Sequence, residues 1–467
     1  MKFKPYLLFA ALLTGCVAYQ PKPLVPEQLA DRLQARRLDD PGLQTFLASY
    51  QPAAVKVWPR PNWDLDTLTL AAFYFHPDLA VARRQWQAAA AGVKTAAGRP
   101  NPTVSVSPTY NSSTFIPSPW SPGVTFDLPL ETAGKRSKRM AAATAATESA
   151  RWQFTAAAWQ VRSQVRNTLA DYQSARRRLP LLEQEHAIQQ SLLKYQAGSL
   201  AAGAIARPEL LATQQALAKA ELELAGATAK CRQLRSQLAA AVGVTSAALA
   251  DLELAELPVP VIPAAFTSDT ARQAALIGRA DIRAALADYA AAEDNLQLEI
   301  ARQYPDIHLN PGYQFDQGDN KWTLGFTVEL PILNQNQGPI AEARAQRDVV
   351  AAKFLQLQAQ VISQVEQAVA GWESAQAQQH TATQLLANAQ AQHRAVVEQV
   401  AAGAATPADL AAADLDQAAA QLAQFDSLDL TRSALFALED ALQNPADSLA
   451  PSIEKLSLPL TAHENGK

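Results

Sequence analysis

The side chains that could carry chemistry in this 467-residue chain are few, and their spacing excludes most of what they could do. The histidines His76, His186, His308, His380, His393 and His463 are scattered, with no ligand spacing such as His-x3-His. Methionine occurs as Met1 and Met140, cysteine as Cys16 and Cys231. A soft-metal centre needs several thiolate, thioether or imidazole donors, so no metal site is expected. The sequence has no P-loop, nucleophile elbow or zinc motif, so no catalytic residue, enzyme activity or cofactor is expected either. What remains is fixed charge. Glu209 stands six residues after Gly203 and Asp409 six after Gly403; Asp416 lies one heptad further on. Taken alone, these carboxylates read as solvated helix charge.

The first residues set an address. Met1-Lys2-Phe3-Lys4 is basic, Pro5 to Leu12 is an apolar run too short to span a bilayer, and Leu13-Thr14-Gly15-Cys16 follows. A basic start, an apolar centre and small residues before a cut describe a secretory signal. Leu-Thr-Gly-Cys resembles a bacterial lipobox, which implies a signal peptide over 1–15 and a lipid on Cys16. An ordinary signal peptide that contains a cysteine is the other reading. An acylated Cys16 leaves Cys231 no partner within the chain, so Cys231 reads as a small packed helix residue. The formal charge is -4, and losing Lys2 and Lys4 with the signal takes it to -6. A mildly acidic chain without a basic run argues against nucleic acid. After the signal no stretch reaches the ~18 consecutive apolar residues of a membrane helix. Membrane insertion would therefore require a β-barrel.

The elements that carry these residues come twice. Pro77-Asp78-Leu79 pairs with Ala280-Asp281-Ile282, Arg99 with Arg302, Pro102 with Pro305, Tyr110 with Tyr313, and Leu128-Pro129 with Leu330-Pro331. Val161, Ser163, Gln164, Val165, Ala170, Ser174 and Ala175 recur as Val361, Ser363, Gln364, Val365, Ala370, Ser374 and Ala375. Ala202-Gly203-Ala204 recurs as Ala402-Gly403-Ala404. Matches in one unbroken order define two tandem structural repeats of about 200 residues. Each predicts a helix, two strands, a long alanine-rich helix, a glycine turn and a returning helix. In the first copy Asp64 caps a helix from Leu65 that breaks near His76-Pro77 and resumes to about Gly98. The boundaries read as a Pro-rich extended segment 16–63, repeats at 64–250 and 267–444, a linker 251–266 and a tail 445–467.

The strands have a period of two. Val104, Val106, Pro108 and Tyr110 alternate with Ser105, Ser107 and Thr109; Trp322, Leu324, Phe326 and Val328 alternate with Thr323, Gly325 and Thr327. Each run is close to the ~9–11 residues of a tilted membrane strand, with aromatics near several ends. Two amphipathic hairpins packed on a soluble core are the alternative. The long helices, about 60 residues from Lys135 and again from Ile340, far exceed the ~11–12 of an average globular helix. Leu355, Ile362, Val365, Val369 and Trp372 follow a coiled-coil rhythm. Gln364, Gln367, Glu373 and Gln376 share the same turns, which suits the wall of a water-filled tube.

Four stretches, in order, resemble the TolC-like outer-membrane efflux family, in its heavy-metal-efflux branch. Asn101-Pro102 after Ala-Gly-Arg is similar to the family's approach to its first hairpin, and Arg302-Gln303-Tyr304-Pro305-Asp306 to the second. Leu330-Pro331-Ile332-Leu333-Asn334-Gln335-Asn336-Gln337-Gly338 resembles the exit of the heavy-metal branch, with Gln335 where arginine is usual. Ala202-Gly203 and Ala402-Gly403 resemble the periplasmic tips. The resemblance runs from about Leu65 to Leu442. It implies a mainly α fold with a small membrane β-barrel. Three chains form an α-barrel of long coiled-coil helices and share a 12-stranded β-barrel, four strands from each.

The same resemblance implies a function. The homotrimer would be the passive exit duct of a tripartite system, fed by a periplasmic adaptor (a membrane fusion protein) and an inner-membrane resistance-nodulation-division pump. It would sit in outer-membrane lipid with its α-barrel in the periplasm, and Val17 after Cys16 favours that membrane. Asp409, Asp416 and Glu209 would line the gate, a ring of negative charge that favours cations. Ala412 stands where the family pattern has a second aspartate, so Asp416 would supply any second ring. Gly203, Ala204, Arg207, Gly403, Ala404 and Thr406 would touch the adaptor. A type I secretion duct and a lipid-anchored coiled-coil scaffold without a pore are the competing readings.

Overall fold

The structure is a computed structural model that describes residues 19–112, 115, 118–250, 252–257 and 269–443. The signal peptide 1–15, Cys16, much of the linker, the tail and His463 lie outside the described residues.

The segment expected to be extended instead folds. It forms α1 (Pro26–Gln34) and α2 (Pro41–Tyr50), followed by a 3-10 turn at Pro52–Val55. Pro26, Pro41 and Pro52 stand at helix starts, where a missing N–H costs nothing. The Asp40 carboxylate accepts from the N–H groups of Gly42 and Leu43 and caps α2. Leu43 and Leu47, one turn apart, are fully buried with Leu38 in the main core. Arg36 then donates from one guanidinium nitrogen to the carbonyls of Phe75 (2.8 Å) and Gly243 (2.9 Å), clamping this segment to two helix ends of the first repeat.

Two residues of β1 (Asn62–Trp63) lead into α3 (Leu65–Phe75) and α4 (Pro77–Ala96), broken at His76-Pro77 as the sequence indicates. Asp64 caps α3: its carboxylate accepts from the Thr67 N–H at 2.9 Å, and the Thr67 hydroxyl receives the Asp64 N–H at 3.2 Å. Asp64→Ala removes this reciprocal pair and lowers the unfolding free energy by about 1 kcal/mol. Chemical denaturation monitored by circular dichroism measures that loss.

Each repeat then makes a β-hairpin and a helical hairpin. The first has β2 (Thr103–Tyr110), β3 (Trp120–Leu130), α5 (Lys135–Ala201) and α6 (Arg207–Val242). A short β4 (Glu253–Leu254) pairs in parallel with β1. The second repeat has α7 (Asp269–Gly278), α8 (Ala280–Ala301), β5 (Ile307–Asp316), β6 (Asp319–Val328), α9 (Gln337–Ala401) and α10 (Pro407–Leu442). The helices α5 and α9 run 67 and 65 residues, or roughly 100 Å each. Pro180 sits inside α5 without ending it. Near the strands α5 packs on α4 and α8, where Arg136 and Arg139 donate to the last carbonyls of α4. Towards the glycine turn it packs on α6, where Arg178 meets Glu223.

The duplicated valines are core positions. Val161 and Val165 are buried in the main core with Trp63, Leu68, Leu70, Trp86, Phe154 and Leu238. Their counterparts Val361 and Val365 are buried with Ile282 and Leu438. Along α9 the coiled-coil rhythm divides between two faces. Val365, Val369 and Trp372 are buried, whereas Leu355 and Ile362 face away from the chain's own helices, 63% and 45% exposed.

The end of α10 is locked into both repeats. Arg166 of α5 donates to Glu439 (2.5 Å), Asp440 (2.7 Å) and the Phe436 carbonyl (3.2 Å), and its guanidinium lies 4.3 Å from the Phe436 ring. Arg279, just before α8, donates to the Ala441 carbonyl at 2.7 Å.

Candidate functional site

Two places stand out in the geometry, the sheet and the hairpin tips. The four long strands form one antiparallel sheet in the order β2-β3-β5-β6. Its pairing joins the two repeats through β3 and β5, with Leu128 opposite Leu309 and Val124 opposite Tyr313. That register stacks the apolar residues in rows. Val104 opposes Phe126 on β2 and β3, Leu309 opposes Phe326, and Tyr313 opposes Trp322. Trp322, Leu324 and Phe326 are 79%, 79% and 76% exposed. Soluble surfaces rarely present so large a contiguous apolar patch.

The opposite face is polar. Thr103 lies beside Asp127, Thr125 beside Gly312 and Thr323, and Gln314 beside Lys321. Hydrogen bonds lace it together: Ser121 to Asp316 (2.8 Å), Lys321 to Asp316 (2.7 Å) and Asn310 to Thr327 (2.9 Å). The aromatic pairs Tyr110–Trp120 and Tyr313–Trp322, with centroids 5.0 and 4.9 Å apart, lie towards the hairpin ends remote from the helices. Paired aromatics at such a level suit a membrane interface. One apolar and one polar face on strands of 8 to 11 residues is the pattern of a barrel wall between lipid and water. Among the described residues no helix is long and apolar enough to cross a membrane.

The two tips are built alike. Gly203 and Gly403 have φ of 73° and 72°, the left-handed conformation that glycine adopts without strain. Their N–H groups donate to Leu200 and Val400, and the following Ala204 and Ala404 donate to Ser199 and Gln399, a matched pair of helix-ending motifs. Beyond each turn the predicted gate residue takes a local role. Asp409 is the third residue of α10, and its carboxylate accepts from the N–H and the hydroxyl of Thr406, both at 2.7 Å. Glu209 occupies the same place in α6 and accepts from the Ala206 N–H at 3.2 Å. The spacing Thr406-Pro407-Ala408-Asp409 is a capping box, a signal present in the sequence that treating these acids as charge alone overlooks. Asp409 and Asp416 are described at the tip of the second repeat, Asp409 within the first turn of α10 and Asp416 two turns on. Arg207 and Thr406 are exposed.

The Thr406 hydroxyl, and then its N–H, hold the Asp409 carboxyl below the usual carboxylate range. A lowered value in the folded chain stabilises the cap at pH above the ordinary carboxylate value. That contribution is lost as pH falls through the lowered value. A spin label at Ala404→Cys in a Cys231→Ser chain should therefore gain mobility on acidification below about pH 4. Asp409→Asn should show the mobile spectrum already at neutral pH.

Histidines scattered in sequence are paired in space. His308 Nδ1 lies 2.9 Å from Asp127 across β5 and β3, and His393 Nε2 lies 2.8 Å from Asp414 across α9 and α10. His186 lies 3.7 Å from Glu221. Asp127 and His308 are 181 residues apart, and only the register between the repeats brings them together. None of these pairs is a metal site by itself, and the described residues contain no group of three or more His, Cys, Asp or Glu that could hold a metal.

The geometry agrees with what known proteins show. The cobalt-zinc-cadmium resistance protein CzcC of Cupriavidus metallidurans is 28% identical over 236 residues, 49% of this chain and 54% of CzcC. The chain thus aligns with about half the length of that curated relative. The outer-membrane channel OprN superposes with a TM-score of 0.69 at 17% identity, over 82% of this chain and 90% of that one. The outer membrane protein VceC from Vibrio cholerae superposes with a TM-score of 0.67 at 21% identity, over 81% and 95%. At those identities the likeness is one of fold. The sequence profile of the outer membrane efflux protein family matches residues 74–244 and 271–443, both tandem repeats. With the profile covering most of the chain and the fold that of the solved channels, this chain belongs to the outer membrane efflux protein family.

Proposed function

We propose that three copies of this chain form a passive outer-membrane duct, the exit of a tripartite efflux system. The observation that carries this is the sheet. It has an exposed apolar face, a hydrogen-bonded polar face, and outer edges on β2 and β6 that pair with nothing else in the described chain. Four strands are too few to close a barrel, known examples starting at about eight. Three chains supply about twelve and leave no open edge. Leu355, Ile362, Leu385 and Val397, exposed along α9, offer apolar contacts to the neighbouring chain.

The finer roles follow from that assembly. The signal peptide 1–15 is removed and Cys16 carries the lipid that holds the N-terminus to the outer membrane. The tips, with Gly203, Ala204, Arg207, Gly403, Ala404 and Thr406, meet a periplasmic adaptor, which couples the duct to an inner-membrane resistance-nodulation-division pump. Asp409, Asp416 and Glu209 lend negative charge to the tip; the capping bonds of Asp409 fix its carboxylate in place and leave it ionised. Its relation to CzcC, named for cobalt, zinc and cadmium resistance, supports divalent transition-metal cations as cargo. Selectivity for the metal then resides in the pump, and the duct needs no ligand site of its own.

The test is the single-channel current of the purified, lipidated protein in planar bilayers, beside Asp409→Ala. Cation-selective channels, with selectivity reduced in Asp409→Ala, are expected. Channels indifferent to the substitution would remove Asp409 from the gate and keep the duct. A lipidated protein that makes no channels would contradict the duct.

A further inference from the structure

The polar face of the sheet carries a charge pattern with a consequence for the duct. Just past the helical end of the sheet, Asp306 and Glu131 are matched by permanent cations, whereas Glu329 is exposed and has no ion pair among the described residues. Asp306 receives Lys135 of α5 at 2.7 Å and the Thr132 N–H at 2.9 Å, and Glu131 receives Arg139 of α5 at 2.7 Å. Near the hairpin ends Asp316 receives Lys321 at 2.7 Å. Asp127 differs. Its cationic partner among the described residues is His308, whose Nδ1 lies 2.9 and 3.1 Å from the two carboxylate oxygens. Both side chains remain partly open, 37% and 40% exposed. On the other side of His308, β6 presents the uncharged Thr327 directly opposite, with Glu329 two residues further along and exposed; Asp306, two residues before His308, also feels the imidazole's charge but is held by Lys135.

We infer that the Asp127–His308 pair is a selectivity determinant of the barrel lumen and makes its ion preference depend on pH. The groups beside Asp306, Glu131 and Asp316 are lysines and an arginine, whereas an imidazole can gain or lose its proton. With a protonated imidazole the pair is neutral overall. With a neutral imidazole it carries the full negative charge of Asp127. Both strands that flank His308 belong to its own chain, so the pair is complete within one protomer, and a trimer repeats it three times around the lumen. This rests on the duct reading above. A ring of three charges facing an aqueous passage acts on permeating ions within about a Debye length, ~10 Å at 0.1 M salt.

The experiment is the reversal potential of purified channels under a salt gradient at pH 5.5 and pH 8. The expected cation-to-anion permeability ratio is roughly two- to fivefold higher at pH 8. His308→Gln should hold the high-pH ratio at both values. Asp127→Asn should lower the ratio at pH 8. His393→Gln, which removes the histidine near the tip, should leave the shift intact. An equal ratio at both pH values in the unaltered protein would overturn the inference, as would a shift that survives His308→Gln or vanishes in His393→Gln. Each of those outcomes keeps the duct. A protein that conducts nothing overturns the duct reading and this inference with it.

Discussion

Glu439→Ala destabilises the folded chain by about 3–5 kcal/mol, the largest single loss expected here. Glu439 is 4% exposed, and Arg162 and Arg166 are each 1% exposed beside it. Arg166 meets its carboxylate at 2.5 Å and Arg162 at 3.5 Å. Burial pulls the Arg166 guanidinium below its ordinary value, and Asp440 and Glu439 restore part of that stability to the charged form. Deleting Glu439 leaves two desolvated guanidinium groups with one carboxylate fewer at the joint between α5 and α10. Replacing the cluster by apolar groups, as in Arg162→Met with Arg166→Met and Glu439→Leu, should cost less than Glu439→Ala, because no charge is then stranded. Equilibrium unfolding of the detergent-solubilised protein measures both. A loss under about 1 kcal/mol for Glu439→Ala would mean that water reaches the joint.

The second large effect lies on the lipid face. Leu324→Arg should cost about 2–4 kcal/mol in a bilayer if placed near the midplane. Ser105→Arg, on the polar face of β2, should cost little. The contrast discriminates sharply because Leu324 is 79% exposed in the isolated chain. A soluble hairpin would accept arginine there without penalty, whereas a barrel wall would not. Folding into liposomes, followed by resistance of the barrel to protease, distinguishes the two.

The repeats, the strands and the long helices are legible in the sequence because each has a period that sterics enforce. Alternation of two marks β2, β3, β5 and β6, and the cap at Asp64 with the break at His76-Pro77 marks α3 and α4. Proline density misleads over residues 16–63, since Pro26 and Pro41 open helices rather than forbid them. The rhythm of α9 correctly signals apolar packing. It cannot say that Leu355 and Ile362 turn away from their own chain, because a heptad does not name its partner. Asp409 stands out by its distance from the tip glycine, but its bond to Thr406 follows from a three-residue spacing that a reading of charge alone passes over. The Asp127–His308 pair is beyond the reach of sequence, since it depends on the β3–β5 register between two repeats and no local pattern encodes it.

The claim that three chains close one barrel is tested most directly by cross-linking its edges. In a Cys231→Ser background, Ser107→Cys on β2 is combined in turn with Thr323→Cys, Gly325→Cys or Thr327→Cys on β6. Within one chain β2 and β6 are separated by two strands, about 14 Å, too far for a disulfide. A closed trimer predicts that one of these combinations, oxidised in the membrane, gives a covalent species of three chains and nothing larger. Chains that stay monomeric in every combination, or a ladder that continues past three, would contradict it.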